Sequence, residues 1–197
     1  MHKIDTICVF ASASEKIDKK YYKVANELGI EIAKSHYNLV YGASNLGLMG
    51  EVSKTAKQLG SKVIGVMPEL LYNKGIQPGD CTEFILTKGM RERKAKMDEL
   101  SQALIALPGG FGTLEELSEM IVQKQLGYNN KPIGLIIEFG FYNSLVNFFN
   151  DLIKEHFTPD NSNNMYYVAK NSQDAVEYIN NYNAENIDYL SAKISLK

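Results

Sequence analysis

The 197-residue sequence predicts a doubly wound, Rossmann-like α/β domain, a parallel sheet with helices on both faces. Three observations predict it. Short apolar runs alternate with amphipathic helical stretches along most of the chain. The runs are continuously apolar, as strands buried on both faces are, rather than alternating as in a half-exposed sheet. Glycine-bearing turns follow two of these runs and lead into helices, which places loops at the C-terminal ends of the strands, where such folds bind ligands.

Residues 4–10 read as the first strand, closing on the small polar run Ala11-Ser12-Ala13-Ser14. A helix over about 19–35 carries Tyr22, Ala25, Leu28, Ile32 and Ala33 at helical spacing. Residues 37–41 form a second strand, which runs into a glycine-bearing turn over 42–50. A helix then carries Val52, Ala56 and Leu59 to a stop at Gly60. A third strand spans 62–67 and is closed by Pro68. Residues 69–80, with Pro78 and two glycines, read as mostly loop. A fourth strand over 82–86 precedes a helix from about 90 to 101. The fifth strand, 103–107, enters Pro108-Gly109-Gly110-Phe111-Gly112-Thr113, and the helix after it extends to about Leu126. A sixth strand spans 133–137. The helix over 142–156 has Leu145, Phe148, Phe149 and Leu152 as its apolar stripe. A polar loop at 160–164, a short strand at 166–169 and a helix at 172–181 complete the pattern. Residues 1–182 are thus expected to be one domain, with 183–197 a frayed or partner-dependent tail.

Composition removes several functions. Hydrophobic residues at 45% and charged residues at 22% describe an ordinary soluble globular chain. A net charge of −2 supplies no electrostatic footprint for nucleic acid. No apolar run approaches the roughly 20 residues that span a bilayer, and no signal-peptide pattern precedes the first strand, so no membrane role and a cytoplasmic location are expected. Cys8 and Cys81 are too few for a disulfide framework or zinc site, and Cys8, inside a strand, reads as a small core residue. His2, His36 and His156 lack metal-ligand spacing, so no metal is expected.

The turn after the fifth strand carries the chemistry. A helix N-terminus offers unpartnered N–H groups and the positive end of a dipole, and glycine lets an anion approach the backbone closely. Thr113-x-x-Glu116 also has the spacing of a capping box, which by itself means only that a helix starts at Thr113. Both readings stand on spacing alone. A carboxylate next to an anion site would repel the anion unless it serves another purpose, which singles out Glu116. The only arginines, Arg91 and Arg93, lie just upstream of this turn. On a helix from Met90, positions Met90, Arg93, Lys94 and Met97 share a face, so Arg93 points inward or toward a cleft and Arg91 elsewhere. The plainer alternative is a Glu92–Lys96 surface pair with Arg93 lying along the core edge. Glu116 shares its helix side with Met120, while Glu115 and Glu119 line another face, with Glu115 in solvent. Neither glycine turn is a dinucleotide fingerprint, and neither a P-loop nor a G-x-S-x-G nucleophile elbow is present.

Together, these segments resemble the LONELY GUY proteins, cytokinin-activating phosphoribohydrolases. Residues 108–116 match their P-G-G-x-G-T-x-x-E signature, and 90–97 their M-H-E-R-K-x-x-M stretch, with Arg91 where the family usually has His. Val40-Tyr41-Gly42 and Gly47-Leu48-Met49-Gly50 match their V-Y-G-G-G-x-x-G-L-M-G turn, and the resemblance extends in order from Ile7 to about Lys170. Many relatives carry the label "lysine decarboxylase", but this chain is far shorter than pyridoxal-phosphate decarboxylases. The resemblance implies hydrolysis of the N-glycosidic bond of an N6-modified adenosine 5′-monophosphate to free base and ribose 5-phosphate, with no cofactor. It assigns Arg93 and Glu116 to catalysis. It assigns Ser14, Gly109, Gly110, Gly112 and Thr113 to the phosphate and nucleotide, with Met90 and Lys94 beside them. It also implies a homodimer with sites near the subunit interface. Two departures bear on the base pocket. Ala43-Ser44 replaces two glycines, so a required positive φ at the second would strain Ser44, and Arg91 replaces His. Two other functions share the fold or the chemistry: a nucleosidase for AMP or another nucleoside 5′-monophosphate, and a non-catalytic nucleotide or molybdenum-cofactor carrier.

Overall fold

The apolar runs pair in parallel, from the middle of the sheet outward. In a computed structural model that describes residues 4–184, the strands are β1 (Thr6–Phe10), β2 (Asn38–Tyr41), β3 (Val63–Pro68), β4 (Glu83–Thr87), β5 (Ala103–Ala106), β6 (Ile133–Ile136) and β7 (Tyr167–Ala169). Their order is β4-β3-β2-β1-β5-β6-β7, and every pairing is parallel. The chain first builds from β1 to β4 in one direction. It then returns to the other flank of β1 with β5, where Cys8 lies opposite Val40 on one side and Leu104 on the other. Strand order reverses between β1 and β5, so the loops leaving these two strands face a shared crevice.

The two faces of the sheet are covered by different helices. Side chains of β1 alternate between them: Ile7, Val9 and Ala11 pack on one face, Cys8 and Phe10 on the other. The first face is covered by α1 (Lys19–Lys34), α2 (Gly47–Gln58) and α7 (Ser172–Asn180), through Leu28, Ile32, Val52, Ala56, Val176 and Ile179. The second is covered by α4 (Met90–Leu100) and α5 (Phe111–Gln125), through Met97, Leu117 and Met120. Burial of each large aliphatic side chain here contributes about 1.5–3 kcal/mol. The seven-stranded parallel sheet with helices on both faces is the predicted α/β fold.

Several boundaries differ from the sequence reading, each for a physical reason. Helix α2 begins at Gly47 and α5 at Phe111, in both cases inside stretches read as turns. Glycine is a poor interior helix residue, but the first helical turn needs no intrahelical N–H bonds and tolerates it. Residues 69–73 form a five-residue helix, α3 (Glu69–Asn73), in a segment read as loop. Leu59 is exposed just past the end of α2. Helix α6 (Asn143–Lys154) has the expected stripe, yet none of its residues is fully buried and Phe148 is 55% exposed. Of the expected tail, residues 185–197 lie outside the described residues.

Candidate active site

The crevice at the strand reversal is a cleft of about 350 Å³ built from three loops and the first turns of α4 and α5. Ala11, Ser12 and Ala13 of the loop after β1 line one wall. Gly110, Gly112 and Thr113 line another, and Met49, Met67, Leu71, Ile76 and Met90 make an apolar end. At its floor lie Arg93 and Glu116.

Arg93 stands in the first turn of α4 and is 5% exposed, as its shared face with buried Met97 predicts. Its guanidinium donates from Nε to the Val66 carbonyl of β3 at 3.0 Å and from Nη1 to Glu116 Oε1 at 2.6 Å. A planar fork can make both bonds at once, which a lysine ammonium could not do in the same geometry. Glu116 is 6% exposed. Burial pushes its carboxyl above the ordinary 4.5, with the Arg93 guanidinium pulling the other way. The pair is therefore a buried carboxylate braced by a fixed guanidinium, and removing either partner would leave the other buried without its counterpart.

Gly42 is what makes room for this pair. A Cβ built there would lie 1.9 Å from Arg93 Nη2 and 2.8 Å from Met49 Sδ. The sequence reading matched Gly42 to a motif and gave it no role. Its signal was the tyrosine-glycine step after β2, whose purpose only the tertiary contact reveals.

The expected capping box does not form. Gly110 is the N-cap of α5 without a side-chain cap bond, and Thr113 stands at the third helical position. Glu116 is held by Arg93 instead of capping the helix. The first intrahelical bond runs from the Leu114 N–H to the Gly110 carbonyl, so the N–H groups of Phe111, Gly112 and Thr113 precede the helical ladder. A Cβ at Gly110 or Gly112 would meet nothing within 4 Å, so both present open backbone. Gly109 has another purpose: a Cβ there would fall 2.1 Å from Thr113 Oγ1. It packs against the threonine rather than lining the cleft.

Besides Gly109, two further expected site residues stand apart. Lys94 reaches across to α5, pairing with Glu115 and, at 2.7 Å, with Glu119, and does not line the cleft. Neighbouring helical positions point about 100° apart, and spacing alone could not assign Lys94 to this face rather than that of Arg93. Glu115 is accordingly ion-paired, although half in solvent. Ser14 is exposed and its N–H donates to Ser12 Oγ at 3.1 Å, while Ser12 and Ala13 line the wall. The Met49 N–H donates to the Ser12 carbonyl at 3.1 Å, tying the first loop to α2.

The strained residue in the second turn is Ala43, not Ser44. Ala43 is buried with φ +61°, a conformation that costs a non-glycine residue about 1 kcal/mol. Its carbonyl accepts from the Gly79 N–H at 2.8 Å, and Ser44 pairs with Pro78, so residues 76–79 fold back over the turn and bring Ile76 to the cleft. Cys8, below the Arg93–Glu116 pair, is fully buried with its thiol pushed far up by burial, an inert core residue. Among the described residues no cluster of His, Cys, Asp or Glu could hold a metal.

Comparison with known proteins gives three results. A family described as "Possible lysine decarboxylase" matches residues 49–179. A probable cytokinin riboside 5′-monophosphate phosphoribohydrolase of Oryza sativa subsp. japonica is 40% identical, over 89% of this chain and 70% of its own. A cytokinin riboside 5′-monophosphate phosphoribohydrolase of Arabidopsis thaliana is 38% identical, over 91% of this chain and 84% of its own. Among solved structures, the molybdenum-cofactor carrier protein of Chlamydomonas reinhardtii is 26% identical with a TM-score of 0.69, covering 90% of this chain and 96% of its own. A structural-genomics target, TM1055, has the same fold, with a TM-score of 0.70 at 16% identity over 91% of this chain and 100% of its own.

Proposed function

Since the chain belongs to the LONELY GUY family of cytokinin riboside 5′-monophosphate phosphoribohydrolases, we propose that it hydrolyses the N-glycosidic bond of N6-modified adenosine 5′-monophosphates. Free base and ribose 5-phosphate leave, and water supplies the new hydroxyl on the sugar. The observation that carries this reading is the buried Arg93–Glu116 pair on the floor of a cleft that a helix N-terminus enters.

Breaking the ribosyl–base bond builds positive charge on the sugar ring and negative charge on the departing base. The Glu116 carboxylate, desolvated and held by Arg93, is suited to stabilise that cation and to orient the attacking water. Arg93 fixes the carboxylate and pulls it toward the ionised form against the upward push of burial. The open backbone of Gly110 and Gly112 with Thr113, at the positive end of α5, is suited to the 5′-phosphate. Held there, the phosphate acts as a handle that brings the nucleotide to Glu116 and is bound alike before and during bond cleavage. Met90, at the apolar end of the cleft, belongs with the base. Ser14, outside the cleft, acts on the nucleotide only through Ser12, whose hydroxyl accepts from its N–H, and Lys94 acts at one remove, by bracing α4 on α5.

We further propose a homodimer. Val122 and Leu126 of α5, Phe148 of α6 and Phe157 beyond it leave an apolar face exposed, with a groove of about 270 Å³ between α5 and α6. No helix among the described residues is long and apolar enough to cross a membrane. The two free thiols suit a reducing compartment, and we place the protein in the cytoplasm. Residues 1–182 would then be one catalytic domain.

A carrier is the second reading, favoured by the fold shared with the molybdenum-cofactor carrier. It needs neither Arg93 nor Glu116. An AMP nucleosidase would share the chemistry and differ at the apolar end of the cleft. The test is a panel of N6-isopentenyladenosine 5′-monophosphate, AMP and their nucleosides, assayed for free base and ribose 5-phosphate. Release from the monophosphates alone is expected, fastest from the N6-modified one. Preference for AMP would make the protein a nucleosidase of the plain nucleotide.

A further inference from the structure

The ladder between β5 and β6 ends at the pair Ala106–Leu135, one residue before the turn that enters α5. The next carbonyl, that of buried Leu107, is beyond this ladder and needs a donor from elsewhere. It accepts a hydrogen bond from the Tyr142 hydroxyl at 2.9 Å. Tyr142 is 3% exposed and lies outside every motif described above. The N–H of Gly109 faces the same phenol oxygen, while burial raises the hydroxyl's pKa well beyond the ordinary 10 and keeps it protonated as a donor. One hydroxyl therefore ties down the residue before Pro108 and lies near the residue after it.

The other side of the turn is held separately. The Ser12 N–H donates to the Pro108 carbonyl at 3.3 Å, and the Leu107 N–H to the Phe10 carbonyl at 2.9 Å. The 107–110 backbone is thus gripped by β1 on one flank and by a single side chain on the other. The connection that delivers this side chain is strained. Phe139 has φ +60° and Gly140 +73°, and the Gly140 N–H closes the turn on the Ile137 carbonyl at 2.7 Å. A non-glycine residue at positive φ persists where surrounding structure over-determines it. Here Phe139 and Phe141 pack edge-to-face on Tyr21 of α1, and Phe141 packs on the Tyr142 ring at 4.8 Å between centroids.

We infer that Tyr142 is a positioning residue for the phosphate: its hydroxyl fixes the Leu107–Gly109 backbone and so sets where the first N–H groups of α5 point. This rests on the reading of residues 109–113 as the phosphate turn. Tyr142 does not line the cleft, so it acts through the turn alone. Because the phosphate is a handle bound alike in ground and transition states, the hydroxyl affects affinity rather than the chemical step.

The test uses the full chain and its Tyr142→Phe variant, which keeps the ring packing and loses only the hydroxyl. Ribose 5-phosphate is titrated by calorimetry, KM and kcat are measured with N6-isopentenyladenosine 5′-monophosphate, and thermal unfolding is followed alongside. The expected result is a rise of about tenfold in both Kd and KM, the size of one lost hydrogen bond, with kcat within about twofold. A folded Tyr142→Phe with unchanged Kd and KM, whatever its melting temperature, overturns the inference and reduces the hydroxyl to a structural tie. Absence of ribose 5-phosphate binding by the wild type overturns the phosphate-turn reading itself, and this inference with it. Should Tyr142→Phe not fold, Gly140→Ala strains the delivering turn with every polar group retained. It is expected to weaken ribose 5-phosphate binding in the same direction, and unchanged binding there would count against the proposal.

Discussion

Gly42 matters by having no side chain: the Arg93 guanidinium occupies the space in which a Cβ would sit. Gly42→Ala is therefore expected to push Arg93 off Glu116 while the sheet stays intact. A misplacement of about 1 Å near reacting atoms costs on the order of 10²-fold, so kcat should fall by about that factor with far-ultraviolet circular dichroism unchanged. Full activity in Gly42→Ala would show that the pair's geometry is not needed. Titration of Glu116 gives a second expectation. Burial raises its carboxyl above 4.5, and the proposed reaction needs the ionised form. The acid limb of kcat/KM should thus lie above the ordinary carboxylate range, rate being lost as pH falls through the raised value. The linked stability runs the other way. A folded-state pKa raised above the unfolded one stabilises the protein below the ordinary value, and that contribution is lost as pH rises through the raised one. A pH–rate profile with its acid limb below pH 4.5 would exclude Glu116 as the titrating group. At this scale much is legible in the sequence: the scarcity of arginine and an unexplained carboxylate single out Arg93 and Glu116, which the fold brings together as a buried pair. What it could not carry were contacts made from afar, such as Gly42 on Arg93, the carbonyl of Val66 on the guanidinium, and Tyr142 on Leu107.

Helices α4 and α5 are joined by ion pairs of two kinds. Arg93–Glu116 is buried and lies at the cleft, and Lys94 clasps Glu115 and Glu119 nearer the surface. Exposed pairs contribute about 0–1 kcal/mol each, so the outer clasp orients the helices more than it stabilises them. The strands were legible because residues buried on both faces are apolar throughout, as in 103–107 and 133–137. The helix starts were not. Local spacing offered Thr113 and Glu116 as a cap, but a partner 23 residues upstream took the carboxylate, and the helix began earlier on glycines. Five-residue α3 was too short to show a period. The stripe of α6 had the right period, and Leu145 and Phe149 pack on the core while Phe148 is exposed, yet a period says only that one face is apolar. It does not say whether the protein's own core or another chain covers that face.

For the whole molecule, the reversal of strand order between β1 and β5 explains why segments far apart in sequence build one site. Residues near positions 12, 42 and 116 meet because β2, β1 and β5 end side by side, and Arg93 of α4 reaches them across the end of β3 from beyond β4. The uncovered apolar face of α5 and α6 leads to a prediction about assembly. Phe157→Asp, at an exposed aromatic on the rim of the α5–α6 groove, should convert a dimer to a monomer in analytical ultracentrifugation. A wild-type protein that sediments as a monomer at all concentrations would leave this face without the proposed occupant.

The proposed function makes one chemical demand of the site, that Glu116 take part in cleaving the ribosyl–base bond. Its direct test is release of ribose 5-phosphate from N6-isopentenyladenosine 5′-monophosphate by the wild type and by Glu116→Gln, with nucleotide binding measured for both. The expected result is equimolar free base and ribose 5-phosphate from the wild type, and a rate lower by about 10²–10⁴-fold in a folded variant that still binds nucleotide. Tight nucleotide binding by the wild type without turnover, or undiminished turnover by Glu116→Gln, would contradict it.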